Sequence, residues 1–258
     1  MEKKNTYSKW MAVVLLACVC GLVSCRAEYE VTKVEGTRVA MDATWDAEPD
    51  KDALALLEPY KAGVDSVMGE VKGVAAVLMD RFRPESPLSN LIADVLRQAA
   101  ASVLGRPADV GLVNVGGIRN VLTEGNITTQ NIYEILPFEN SLCVLTLGGA
   151  ALKELCANIA ARGGEGVSGL NLVIDAEGHL LEAKVGGQAI DEGRTYTVGT
   201  IDFLAEGNDG MAALTRASQR QCPEEATLRG LFMDYVERET AAGRKIEARI
   251  EGRVVMKK

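Results

Sequence analysis

SLCVLTLGGAALKELCANIAA, residues 141–161, decides how the chain is read. The first seven residues are a nearly unbroken apolar run stopped by Gly148-Gly149, which is how a strand buried on both faces reads. Beyond the glycines the apolar positions return at helical spacing. Ser141–Leu147 is therefore predicted as a strand and Gly149–Ala161 as a helix.

The same alternation extends in both directions. Downstream, Leu170–Asp175 and Leu180–Val185 flank Ala-Glu-Gly-His and read as a β-hairpin, with Tyr196–Ile201 as a further strand. Glu224–Ala242 is an amphipathic helix carrying Leu228, Leu231, Phe232 and Tyr235, and Lys245–Val255 a closing strand. Upstream, Thr128 caps a short helix running towards Leu136 before Pro137 stops it. Asp109–Asn114 is a buried strand that breaks at Gly116-Gly117. Ser86-Pro87 opens a helix over Pro87–Leu104, with Leu88, Leu91, Ile92, Val95, Leu96 and Ala99 on one face. Val74–Met79 reads as a strand, Lys51 to about Val71 as an amphipathic lead-in helix, and Tyr29–Ala43 as one or two strands. Strands and helices interleave without strict βαβ regularity. The fold class is α+β, a mixed sheet with interleaved helices.

The 258 residues are 47% hydrophobic and 25% charged, a composition that supports a packed core. The net charge of −8 argues against a nucleic-acid polymer as partner, because no basic excess exists to neutralise phosphates. The sequence has one histidine, which excludes a zinc site with several imidazole ligands. That residue, His179, falls in the hairpin turn and is read as solvated.

The N-terminus reads as an address. Lys3, Lys4 and Lys9 precede an apolar stretch, Trp10–Leu22, that is short for a membrane span of about 30 Å. It ends in Leu22-Val23-Ser24-Cys25, which resembles a bacterial lipobox. Residues 1–24 are expected to be a lipoprotein signal peptide, with lipid attached to Cys25, and 25–49 a tether with N-terminal strands. Residues 50–258 are expected to form the functional domain, held by its lipid anchor at the membrane of a bacterial cell envelope, periplasmic or surface-exposed. Of the other cysteines Cys143, Cys156 and Cys222 remain, an odd number without C-x-x-C spacing, and they are read as small buried hydrophobes rather than a disulfide.

Three loops carry side chains unusual for their surroundings. Arg81-Phe82-Arg83 stands just before a helix N-terminus. Val113-Asn-Val-Gly-Gly-Ile-Arg119 sets an asparagine and an arginine around paired glycines, where backbone can approach a ligand and a guanidinium can grip a phosphate or carboxylate. Phe203-Leu-Ala-Glu-Gly-Asn-Asp-Gly210 puts an aromatic at a strand end before an acidic, glycine-rich loop, with a counterpart in Leu136-Pro-Phe-Glu-Asn140. Phe138 and Phe203 would suit a flat heterocycle, since stacking contributes roughly 1–3 kcal/mol per base.

In order along the chain, Glu85-Ser-Pro-Leu-Ser-Asn-Leu-Ile-Ala-Asp94, Asn114-Val-Gly-Gly-Ile-Arg119, Gly125-Asn-Ile-Thr128, Leu136-Pro-Phe138, Thr146-Leu-Gly-Gly149 and Phe203–Gly210 resemble the C-terminal domain of 5′-nucleotidases. The resemblance runs from about residue 50 to Glu251-Gly-Arg-Val254. It implies that Phe138 and Phe203 sandwich a base, Asn140 and Asp209 contact base and ribose, and Asn114 lies near either. It further implies that Arg119 contacts phosphate and that Gly169 sits where backbone approaches the base. One more arginine belongs to the pattern, and Arg81 and Arg83 compete for it. Asn208 stands where many members carry glycine, a residue type that tolerates positive φ.

In that family a separate N-terminal metallophosphoesterase domain holds two metal ions and the catalytic side chains. The sequence before residue 50 has no room for it, so no catalytic residue, metal site or cofactor is expected in this chain. Divalent metal ions would belong to a partner. The expectation is the nucleotide-recognition half of a split 5′-nucleotidase, a hydrolase not catalytic alone, working with a separate metallophosphoesterase chain. The alternative is a stand-alone surface lipoprotein that captures a nucleoside or nucleotide. A third reading is a degenerate domain kept for protein contacts.

Overall fold

The computed structural model describes residues 10–11, 30–48 and 50–257, so Cys25 and all of the expected signal peptide except Trp10 and Met11 lie outside the described residues. Contacts divide the chain into a unit ending at Leu54 and a unit from Ala55 to Lys258. In the first, residues 30–41 form no strand, contrary to the alternation over Tyr29–Ala43. Among the described residues none pairs with this segment, and an alternating pattern without a pairing partner does not make a strand. A short 3-10 turn, Ala43–Ala47, follows, and the Asp42 carboxylate caps it by accepting from the Thr44 N–H. Helix α1, Lys51–Met68, forms where the periodicity put it, but none of its residues is buried, so Leu57, Tyr60 and Val64 are exposed.

The second unit is built on three sheets. A two-stranded antiparallel ribbon joins β1 (Val71–Ala75) to β3 (Gly125–Thr128). The central sheet has the order β10-β4-β9-β2-β5, from β2 (Val110–Val113), β4 (Leu142–Gly148), β5 (Gly166–Ser168), β9 (Thr195–Ile201) and β10 (Gln219–Gln221). Within it β2 and β9 run parallel, and the other pairs are antiparallel. A third sheet orders β11 (Val254–Met256), β6 (Leu170–Ile174), β7 (Leu180–Val185) and β8 (Gln188–Ala189). The mixed sheet and interleaved helices follow the sequence pattern. The closing strand is far shorter than Lys245–Val255, and the strand expected at Val74–Met79 begins and ends earlier.

Helix α2 (Pro87–Ala99) lies across β2, β5 and β9. It starts as the sequence indicates: Ser86 caps it, accepting from the Ser89 N–H at 3.4 Å. After Ala100 the chain continues as the short helix α3, Ala101–Leu104. What brings α2 down onto the sheet is the absence of side chains beneath it. A Cβ on Gly111 of β2 would stand 2.3 Å from the Ala93 carbonyl oxygen and 2.8 Å from Arg97 Cβ. Gly111→Ala is therefore expected to lift the helix and destabilise the protein by about 1–3 kcal/mol, read from the urea midpoint. An unchanged midpoint would refute this close-packing account.

The Glu85–Asp94 segment also ties down the C-terminus. Buried Glu85 accepts from the Asn90 side chain (2.7 Å) and the Glu251 backbone N–H (2.7 Å), and Arg253 forms a two-pronged pair with Asp94, both contacts 2.8 Å. Helix α4 (Thr129–Ile135) has a full capping box between Thr128 and Asn131. Helices α5 (Gly149–Ala161), α6 (Asp202–Ala205) and α7 (Leu228–Ala241) complete the unit. Among the described residues, no helix is long and apolar enough to cross a membrane.

The cysteine expectation is corrected. Cys143 of β4 and Cys222 after β10 form a disulfide, and among the described residues only Cys156 of α5 is a free thiol, which is buried. The pairing of β10 with β4 brings together residues 79 apart, and chain spacing alone does not show it. Burial pushes the Cys156 thiol up to about 12, so it stays protonated and unreactive at neutral pH.

Candidate functional site

Sheet topology gathers the candidate residues at one edge. Because β2 and β9 are neighbours and parallel, their C-terminal ends, Val113 and Ile201, emerge side by side. Leu142, the first residue of antiparallel β4, pairs with Ile201, and Gly166, the first of β5, pairs with Val113. Four loops therefore meet there: those that follow β2 and β9, and those that precede β4 and β5. The carboxyl ends of adjacent parallel strands are where open sheets hold ligands.

The loops enclose a cavity of about 340 Å³, in which Asn114, Arg119, Phe138, Asn140, Phe203 and Asp209 all take part, with Gly116 and Gly117 in the wall. Phe138 is 48% exposed and Phe203 39%. Rings this exposed are not core plugs, unlike Phe232, which is fully buried. The Asn114 side-chain N–H donates to Asp209 Oδ2 at 2.7 Å, while Asn114 Oδ1 is buried without a partner among the described residues. Arg119 is steadied by donating to the Gly116 carbonyl at 3.1 Å. Asp209 takes the left-handed conformation (φ 55°), flanked by Gly207 and Gly210, also at positive φ. The positive-φ residue of this loop that is not glycine is thus Asp209, not Asn208. Strain held at one side chain of a site is a mark of positioning.

Two residues escaped the sequence reading. Arg162, at the end of α5, lines the cavity, and Glu165, just before β5, supports it. Arg162 Nε donates to Glu165 Oε1 at 2.6 Å, and its Nη2 lies 3.3 Å from Asp209 Oδ2. The Glu165 carboxylate holds the Arg162 guanidinium above its ordinary pKa, with desolvation opposing and Asp209 adding to the effect. The available signal was Arg-Gly-Gly-Glu, a turn with opposite charges at its ends, placed where a helix returns to the sheet.

Arg81 and Arg83 differ in their contacts. Neither arginine lines the cavity; Arg83 reaches Glu165 (2.5 Å) and the Gly164 carbonyl (2.8 Å), and so touches the residue that supports Arg162. Gly169 is a correction: it lies at the other end of β5, where a Cβ would meet the Asp109 carbonyl oxygen at 2.3 Å and Arg97 Nε at 2.9 Å. Its positive φ (69°) serves the turn into β6, not a ligand. His179 is exposed and bonded through Nδ1 to Asp175 at 2.9 Å. With Glu177 these two make the one grouping of potential metal ligands among the described residues, and it shares no residue with the cavity. The cavity itself does not fit a divalent cation. Its one carboxylate, Asp209, is already engaged by Asn114 and Arg162, and two guanidiniums line the same wall.

Comparison with known proteins identifies a family and several relatives. The 5'-nucleotidase, C-terminal domain family matches residues 67–216. A trifunctional nucleotide phosphoesterase protein of Bacillus subtilis, YfkN, is 29% identical over 230 residues, covering 80% of this chain and 15% of the relative. A cell wall protein of Listeria monocytogenes, Lmo0130, is 30% identical over 236 residues, 81% of this chain and 30% of the relative. The crystal structure of a 5'-nucleotidase precursor from Thermus thermophilus superposes with a TM-score of 0.68 at 29% identity, over 82% of this chain and 44% of that one. The chain thus spans less than half the length of each of these relatives. With more than half its residues matched and the fold shared, the chain belongs to the 5'-nucleotidase, C-terminal domain family.

Proposed function

We propose that this chain is the nucleotide-recognition half of a split 5′-nucleotidase, presenting a 5′-nucleotide to a separate metallophosphoesterase chain. The observation that carries the reading is the cavity: two half-exposed aromatic rings, an unsatisfied amide oxygen, a carboxylate and guanidiniums on one sheet edge. Phe138 and Phe203 take the faces of the base, and Asn140 reads its polar edge. Asn114 and Asp209 accept from ribose hydroxyls, and Arg119 holds the phosphate. The lining has no serine, threonine, cysteine or histidine, and Asp209 is its sole carboxylate. Such a set orients a nucleotide without supplying an activated nucleophile, and positioning alone is not hydrolysis. A lipid anchor at Cys25 would keep the domain at the cell envelope, where a disulfide persists. The exposed apolar face of α1 favours a protein partner.

Purified chain incubated with AMP and divalent metal is expected to release no phosphate above the blank, and addition of a metallophosphoesterase from the same cell to restore release. Hydrolysis by the single chain that survives removal of contaminating phosphatase would overturn the proposal. Tight AMP binding, indifferent to any such enzyme, would favour the stand-alone binder.

A further inference from the structure

Glu165 is an unusual residue to bury. Its side chain has no exposed surface, yet it is flanked by charge: Oε1 accepts from Arg162 Nε at 2.6 Å and Arg83 Nη2 at 2.5 Å, and Oε2 from the Val115 backbone N–H at 2.6 Å. A buried carboxylate is costly unless its lone pairs are met, and here three donors from three segments meet them. The consequence falls on the cavity. Val115 begins the 3-10 turn Val115–Gly117, whose Gly116 carbonyl anchors Arg119, so one carboxylate steadies both cavity arginines, Arg162 directly and Arg119 through that turn.

Arg162 is held along one edge only. Nε is committed to Glu165 and Nη2 leans on Asp209, while Nη1 has no protein acceptor among the described residues. Three guanidiniums, Arg83, Arg119 and Arg162, stand against two carboxylates, Glu165 and Asp209. The site thus keeps a net positive charge in a chain whose total is −8. A guanidinium locked through one edge and open at the other presents its remaining N–H donors in a fixed fork suited to phosphate oxygens.

We propose that Arg162 is a second phosphate-binding arginine of this cavity, and that Glu165 is the positioning residue which aims it together with the Arg119 turn. The inference rests on the nucleotide-binding reading above and deepens it, since it assigns the phosphate to a two-arginine grip drawn from separate loops. Calorimetric titrations of the purified protein with AMP and with adenosine test it. Arg162→Met is expected to weaken AMP roughly 10- to 100-fold while adenosine changes less than about twofold, because only the charged ligand uses the fork. Glu165→Gln is expected to reduce the AMP-to-adenosine affinity ratio in the same direction, whereas a merely structural role would lower both ligands alike. Unchanged AMP affinity in Arg162→Met, or an equal loss of both ligands, overturns the proposal while leaving nucleotide binding in place. If the unsubstituted protein binds neither ligand, the nucleotide reading itself falls. Should Glu165→Gln fail to fold, the exposed-edge variant Arg162→Met still decides.

Discussion

Removing both rings, Phe138→Ala with Phe203→Ala, is expected to weaken AMP binding by two to three orders of magnitude. Base–aromatic stacking contributes roughly 1–3 kcal/mol per contact, so each single substitution is expected to lower affinity about 5- to 150-fold. The two rings flank one ligand, so their effects will not add fully. Both side chains are substantially exposed, and neither substitution opens a hole in the core. The melting temperature should therefore stay within about 2 °C of the parent, which separates lost binding from lost fold. AMP affinity that survives the double substitution would exclude the base sandwich and favour a domain kept for protein contacts.

Opening the Cys143–Cys222 disulfide is expected to have the largest effect on stability. The bridge spans 79 residues, and in the chain-entropy account a loop of that size is worth about 4–5 kcal/mol, with native disulfides commonly measured at about 2–5. For a unit of this size that corresponds to a fall in melting temperature of about 5–15 °C. Cys143→Ala with Cys222→Ala avoids stray thiols, and Cys156 is too deeply buried to offer a replacement partner. Denaturant unfolding of the doubly substituted and parent proteins checks the figure, and a difference below about 1 kcal/mol would contradict it. The edge strand β10 has three paired residues, so the covalent link to β4 is a main restraint on it.

Legibility differed by element for physical reasons. Helices α2, α4 and α5 could be read because each announces itself locally, through Ser86-Pro87, the Thr128 capping box and the Gly148-Gly149 break. Strand β4 could be read because a strand buried on both faces is apolar throughout. The short strands β3, β5, β8 and β10 could not, since two to four residues carry no period and exist only through their partners. Residues 30–41 show the converse, an alternation that has no partner among the described residues and forms no strand.

Taken alone, the sequence determined the class of fold, the resemblance, and the six cavity residues Asn114, Arg119, Phe138, Asn140, Phe203 and Asp209. Each of those is marked by residue type beside a glycine or proline break or a strand end. Tertiary structure alone decided what strand pairing creates: the disulfide, the contact of Arg83 with Glu165, the placement of Gly169 away from the cavity, and the Arg162–Glu165 support. Those depend on which loop ends share a sheet edge. Val113 beside Ile201, Leu142 and Gly166 is set by parallel and antiparallel order among residues up to 88 apart, and no local period encodes that order.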